Sequence, residues 1–492
     1  MFVSPVSTKL IPAVRLNSGH ALFTPALAGI GFYLIVAAVW MPGLAPRLYD
    51  DARYVELGML AFVMFQLCRP AIADALTGAW LSMSVSFRFL VSVLLVGGAV
   101  AAVVSRAVNL GLLEIALTAQ LIILLGVVAC AVREGRVQAE TALSVCVFAG
   151  AALCGLKFWV IYLLYAFEGK AFPWVAPFLE FANVRFFSQY QAYALFLAVI
   201  PMFIANISRG WRLFFFVIAA NFWALHWMVG TRAAWLGLFV AVALVAGFLR
   251  KGKLTWLRWH AAAILAGAVI YLVFSHFVHV LPDAAPIPGV NSIVERGPES
   301  IEVRVALAQA ALHFVQEHPL LGVGPGQFGL QPYSMNAAHP HNVPLQLLAE
   351  YGLIAGTAGI WLGALLVIFA IRTLRKPASG ATDAIGASLV AALLMGMTDA
   401  LFSGNLIMPQ SQILFCVLAG WIGGRSLPAE IAVDAEAGAF RMHRFAIVST
   451  GLLAVAITTI LALEYLPLAR DLPIWLPRWN PHFWQYGRFY NW

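Results

Sequence analysis

"HNVPLQLLAEYGLIAGTAGIWLGALLVIFAI" (His341–Ile371) decides the fold class. After a polar entry it stays apolar for longer than the roughly 20 residues that a bilayer core demands of a helix. In lipid every backbone N–H and C=O must be paired within its own segment, so such a run is a helix and not a strand. Pro344 suits a first helical turn and Asn342 a cap. His341 then precedes the span by about one turn, at the membrane surface.

Runs of the same kind recur on both sides of this one. They lie near residues 21–41, 54–68, 88–105, 108–132, 142–165, 190–207, 212–229, 233–249, 260–281, 345–371, 384–402, 410–424 and 445–463. The chain of 492 residues is 62% hydrophobic and 11% charged, where a soluble domain carries about 25% charged residues. The expectation is an all-α polytopic membrane protein with about 12–13 transmembrane helices and a helical loop outside the membrane. The five cysteines fall within apolar runs and predict neither a disulfide framework nor a thiol metal site. The polar start, with Lys9 and Arg15, leads into a full-length span and does not resemble a cleavable signal peptide.

The net charge of +8 has no soluble basic domain to carry it, which argues against nucleic acid as a partner. With the N-terminus in the cytoplasm, seventeen of the thirty basic residues fall in short cytoplasmic loops. That is the positive-inside pattern, and it puts the 282–343 loop with both of its histidines on the outer side. Three parts follow: N-terminal transmembrane helices (1–180), a core that includes this loop (181–425), and a C-terminal span with an aromatic tail (426–492). The tail's Trp, Tyr and Phe suit an interfacial belt.

Basic residues left on the outer side need another reason. "FANVRFFSQYQAY" sets Arg185 and Gln189 on one helical face where a span begins. "MVGTRAAWLG" holds Arg232 in a tight turn between spans. "GPESIEVRVALAQAALHFVQEHPLLGVGPGQF" reads as an amphipathic loop helix carrying Arg304, followed by a Pro/Gly turn. Singly, Arg185 and Arg232 read as headgroup anchors, and Arg304 as a partner for Glu299 or Glu302. Together they describe an anion site, because guanidinium groups grip phosphate oxygens through paired, charge-assisted hydrogen bonds. Such a cluster at the lipid–water boundary suits a ligand with its phosphate at headgroup level and its tail in lipid.

His339 and His341 form an H-x-H pair. Its readings are an interfacial histidine, a metal ligand, or a general base able to take a proton from a hydroxyl near neutral pH. Gln189, His339, Asn342, Glu350 and Arg53 are candidate supporting residues.

"HNVPLQLLAEYG" fits the H-N/S/Q-x-x-L-x-x-x-x-x-x-G pattern of the O-antigen ligase family, with His341, Asn342, Leu345 and Gly352 in register. "VRVALAQAALHFVQEHPLLGVGPGQF" resembles the stretch that leads up to that histidine, while "NVRFFSQYQ" and "GTRAAWLG" resemble the family's earlier arginine motifs. The resemblance covers roughly residues 180–425. It implies a GT-C-like fold in the bacterial inner membrane, an undecaprenyl-diphosphate-linked glycan donor, a periplasmic active site and neither cofactor nor metal. His341 would activate the acceptor hydroxyl, and Arg185, Arg232 and Arg304 would bind the diphosphate. The acceptor would be lipid A–core, a growing glycan chain or a protein, since ligases, polymerases and protein O-oligosaccharyltransferases share the superfamily. The extra C-terminal span departs from the ligase core. The chain also lacks the histidine–proline signature and large C-terminal periplasmic domain of the protein-glycosylating branch. A transporter of a polyprenyl-linked glycan is the alternative of another class, and Lys157 would be its intramembrane charge.

Overall fold

In the computed structural model every regular element among the described residues is helical. The structure describes residues 22–45, 48–170, 172–174, 176–204, 207–249, 253–278, 299–335, 337–375, 381–427, 437–471 and 484. The expectations for the first twenty residues, for 282–298 and for most of the aromatic tail lie outside them.

In chain order the helices are α1 (Thr24–Val36), α2 (Leu48–Phe65), α3 (Pro70–Ser82), α4 (Val85–Val104), α5 (Val108–Glu134), α6 (Arg136–Phe167) and α7 (Val184–Ala194). They continue with α8 (Arg209–Val229), α9 (Arg232–Phe248), α10 (Lys253–Val278), α11 (Glu299–Glu317) and α12 (Val343–Thr373). The last three are α13 (Ala381–Ala400), α14 (Pro409–Gly424) and α15 (Ala437–Asp471). Each apolar run read from the sequence overlaps one of these helices, although the run 190–207 holds only the last five residues of α7 and continues mostly as a 3-10 segment, Leu197–Phe203.

Among the described residues eight helices, or nine counting the bent pair α2–α3, are long and apolar enough to cross a membrane. α1, α9 and the 384–400 part of α13 are shorter apolar helices. α2 and α3 meet at 96° across Arg69, where Pro70 cannot continue the preceding hydrogen-bond ladder. The chain is thus a polytopic α-helical membrane protein.

α7 forms the middle of the bundle. It passes through Leu195 and Phe196 into a 3-10 segment (Leu197–Phe203) that contains Pro201, and this stretch from Phe187 on is buried throughout. Its polar residues therefore face protein. Gln191 Nε2 donates to Phe222 O of α8 at 3.2 Å, and α13 and α14 pack on its other side. Lys157 of α6 pairs with Glu180 in the short helix Ala176–Phe181. The charge on which a transport reading would rest is therefore an ion-pair strut beside the entry to α7.

Beyond α2, Tyr465 of α15 donates to Asp50 Oδ2 at 2.9 Å and stacks on Trp484 with ring centroids 4.1 Å apart. Trp484 is buried against the bundle. The cysteines are free, with Cys130, Cys154 and Cys416 buried and Cys68 exposed.

Candidate functional site: a cationic cluster beside a histidine

The polar entry to α12 is held by its own side chains. Asn342 Oδ1 accepts from Leu345 N at 2.9 Å, the expected cap, and its Nδ2 donates to Leu401 O at 2.9 Å in the α13–α14 loop. His341 adopts φ +54°, a left-handed conformation uncommon for any residue with a Cβ. Its N–H donates to Nδ1 of His339 at 3.2 Å, and the two rings meet edge-on with centroids 4.4 Å apart. Accepting at Nδ1 leaves the proton of a neutral His339 on Nε2. His339 is buried and Gly404 lies flat on its ring, where a Cβ would come within 2.3 Å of Cε1. The imidazole of His341 is thereby aimed by a tight turn wedged against the α13–α14 loop.

α12 is broken at Gly352, between two and three helical turns further on, and that break seats the Pro/Gly stretch. Gly352 has φ +69° and ψ −176°, and a Cβ there would lie 2.3 Å from Leu320 O. The interrupted ladder is completed from outside. Val323 N–H donates to Ala349 O at 2.9 Å, Gly324 N–H to Glu350 O at 3.0 Å, and Leu353 N–H to Pro319 O at 2.8 Å. Glu350 is buried; its Oε1 accepts from Phe328 N at 3.2 Å and its Oε2 from Gln346 Nε2 at 3.1 Å. Gln327 ties the same stretch to the α4–α5 turn, donating to Ala107 O at 2.8 Å and accepting from Ala107 N at 3.0 Å. These bonds fix the loop between α11 and α12. α11 packs Leu307, Ala311 and Phe314 against Phe328 and Ala349.

The arginines approach from three further elements. Arg185 lies in the first turn of α7, whose cap residue Asn183 accepts from Arg185 N at 2.8 Å. Arg232 opens α9, and the preceding Thr231 donates its N–H to Ser188 Oγ of α7 at 3.0 Å. With Ser188 Oγ in turn donating to Thr231 Oγ1 at 3.4 Å, two hydrogen bonds bind the two helix starts together, and helix N-termini favour negative charge. Although the long side chain of Arg304 on α11 is largely exposed, the surrounding protein desolvates its charge. That desolvation lowers its proton affinity first, Arg185 and Arg232 lower it further, and Asp399 opposes them. His341, outside the membrane-spanning segments, is pushed down to about 4, by burial first and then by Arg304 and Arg185. Arginines of α7 and α9 therefore act on Arg304 of α11, and those of α7 and α11 act on one imidazole.

Among the described residues no ion pair holds Arg185 or Arg304. Like charges gathered in this way disfavour one another, and a multivalent anion relieves them.

Gln189, on the Arg185 face, is buried, and among the described residues its Oε1 has no hydrogen-bond partner. Arg53 lies deeper and is fully buried. It donates to Glu56 Oε2 at 2.5 Å, Gln412 Oε1 at 2.6 Å, Tyr49 Oη at 3.1 Å and Ile407 O at 2.7 Å. It clamps the α13–α14 loop and reaches the histidines through that loop.

Sequence reasoning passed over Asp399. This buried carboxylate ends α13, accepts from Ser403 Oγ at 2.5 Å, and acts on Arg304. The signal was an ionisable residue closing an apolar run, "LLMGMTDALF", since ionisable residues at such positions are rare without a function. Among the described residues no group of three or more His, Cys, Asp or Glu is placed to hold a metal ion.

Fold and site define a polytopic membrane protein with a basic, histidine-bearing cluster at one end of its helical bundle. Residues 228–359 match the family model described as O-antigen ligase, and this segment is O-antigen ligase-like. The matched segment holds Arg232, Arg304, His339, His341 and Gly352, while Arg185, Gln189, Arg53 and Asp399 lie outside it. No curated protein matches the chain. The family implies lipid-linked glycan substrates in a membrane setting.

Proposed function

We propose that the protein is an inverting glycosyltransferase of the O-antigen ligase type. In this reading it moves a glycan from undecaprenyl diphosphate to an acceptor hydroxyl, that of lipid A–core, on the periplasmic face of the bacterial inner membrane. The observation that carries the reading is the joint action of Arg304 and Arg185 on His341, with Arg232 and Asp399 acting on Arg304.

Arg185, Arg232 and Arg304 bind the diphosphate and stabilise the charge it gains as the glycosidic C1–O bond breaks. Asp399 sets an opposing charge near Arg304. The acceptor oxygen attacks C1 from the opposite face, and its proton passes to His341 and then to water. The products are the glycosylated acceptor and free undecaprenyl diphosphate, so atoms and charge balance with no further reactant.

Neutral His341 is the form that accepts a proton, but two arginines and burial make it a poor base in the empty site. A bound diphosphate neutralises those arginines, so the imidazole gains basicity when donor is present. This couples proton abstraction to occupancy and disfavours idle hydrolysis.

A deletion strain tests the reading. The expected phenotype is lipid A–core without O antigen, together with accumulated undecaprenyl-linked chains. Lipid A–core bearing single repeats would mark a polymerase, and unmodified protein acceptors a protein O-oligosaccharyltransferase.

A further inference from the structure

α11 carries an apolar stripe that its packing does not use. At about 100° per residue, Ile301, Val305, Ala308 and Leu312 fall within about 60° of one another around the helix. Ile301 is 59% exposed, Val305 51% and Leu312 50%. The face that packs on the bundle is a different one, built from Leu307, Ala310, Ala311 and Phe314. A third face is polar, with Glu302, Gln309 and Gln316 exposed and His313 within 3.2 Å of Glu317. A helix with this layout suits the membrane–water boundary. Arg304 stands between the stripe and the packed face, one turn from Ile301 and next to Val305, so the stripe leads away from the cationic cluster. Leu320, just beyond α11, and Leu353 and Ile354 of α12 are exposed apolar side chains as well.

We propose that this stripe binds the polyprenyl chain of the donor, adjoining the diphosphate held at Arg304. An anionic head beside an apolar tail is the complement of a guanidinium beside Ile301, Val305 and Leu312. The site selects long-chain carriers, because contact with the stripe grows with chain length while the head group is unchanged. The proposal rests on the diphosphate reading given above.

The test uses the full chain in nanodiscs, with a glycan-free polyprenyl diphosphate carrying a photoreactive group on its chain. Labelling is expected on residues 301–312 and falls about tenfold in the triple variant Ile301→Gln, Val305→Gln, Leu312→Gln. Labelling of other helices alone, or labelling unchanged in the variant, overturns the proposal and leaves the stripe to ordinary phospholipid.

Turnover gives a second readout. The variant raises KM for a long-chain glycan donor about tenfold and leaves KM for a short-chain analogue unchanged. Equal losses on both donors, or none on either, also overturn it. A parent protein that labels at the stripe yet transfers glycan from neither donor sinks the transferase reading while the tail site stands.

Discussion

His341 is held where its proton affinity depends on its neighbours' charge, and this gives the residue scale its sharpest predictions. Its folded pKa of about 4 lies below the ordinary histidine value of 6.5. Such a group favours the folded state above about pH 6.5, and that contribution is lost as pH falls toward 4. The variant His341→Asn should therefore resist acid unfolding better than the parent, as read by a pH titration of helicity. In activity, the acid limb of donor-limited kcat/KM reports the free enzyme and belongs near pH 4. Removing one like charge with Arg304→Gln should move that limb upward, a shift seen directly in the pH–rate profile. Arg→Lys changes at positions 185, 232 and 304 keep the charge and lose the planar fork. Each is expected to raise KM for donor about tenfold with the fold intact. Lysine working as well as arginine at all three would reduce these sites to basic anchors.

Among the elements, α12 shows why a glycine remote from the chemistry matters. Gly352 carries no side chain for the chemistry, yet its left-handed break exposes the backbone groups that Pro319, Val323 and Gly324 engage. Gly352→Ala places a Cβ against Leu320 O in a conformation that disfavours it. The substitution should cost about 1–3 kcal/mol or more, read as a lower thermal midpoint with reduced transfer. Arg53 supports the α13–α14 loop in a similar way. Arg53→Leu leaves Glu56 buried without its cation and should destabilise by about 3–5 kcal/mol. Adding Glu56→Leu should restore part of that loss, because the stranded charge is gone while the bond to Ile407 O stays missing. No recovery in the double variant would mean that the pair's charge is not what holds the loop.

At the scale of the whole molecule, the bundle was legible because apolar length is a strong signal: each run overlaps a helix, and His341–Ile371 entered through the expected Asn342 cap. The motifs with charged residues were legible as separate pieces. Their meeting was not, because nothing local says that the start of α7 is bonded to the start of α9 through Ser188 and Thr231. Glu350 looked like a partner for a site group, but long-range folding uses it to hold Phe328 N. Asp399 went unread because one carboxylate inside an apolar run carries no spacing to recognise. The central claim is that His341 and the three arginines work as one transferase site. It is tested most directly by single-turnover transfer from an undecaprenyl-diphosphate-linked glycan to lipid A–core by purified His341→Ala. The account predicts a folded protein that retains donor binding and transfers about 10²–10⁴-fold more slowly; transfer at the parent's rate would contradict it.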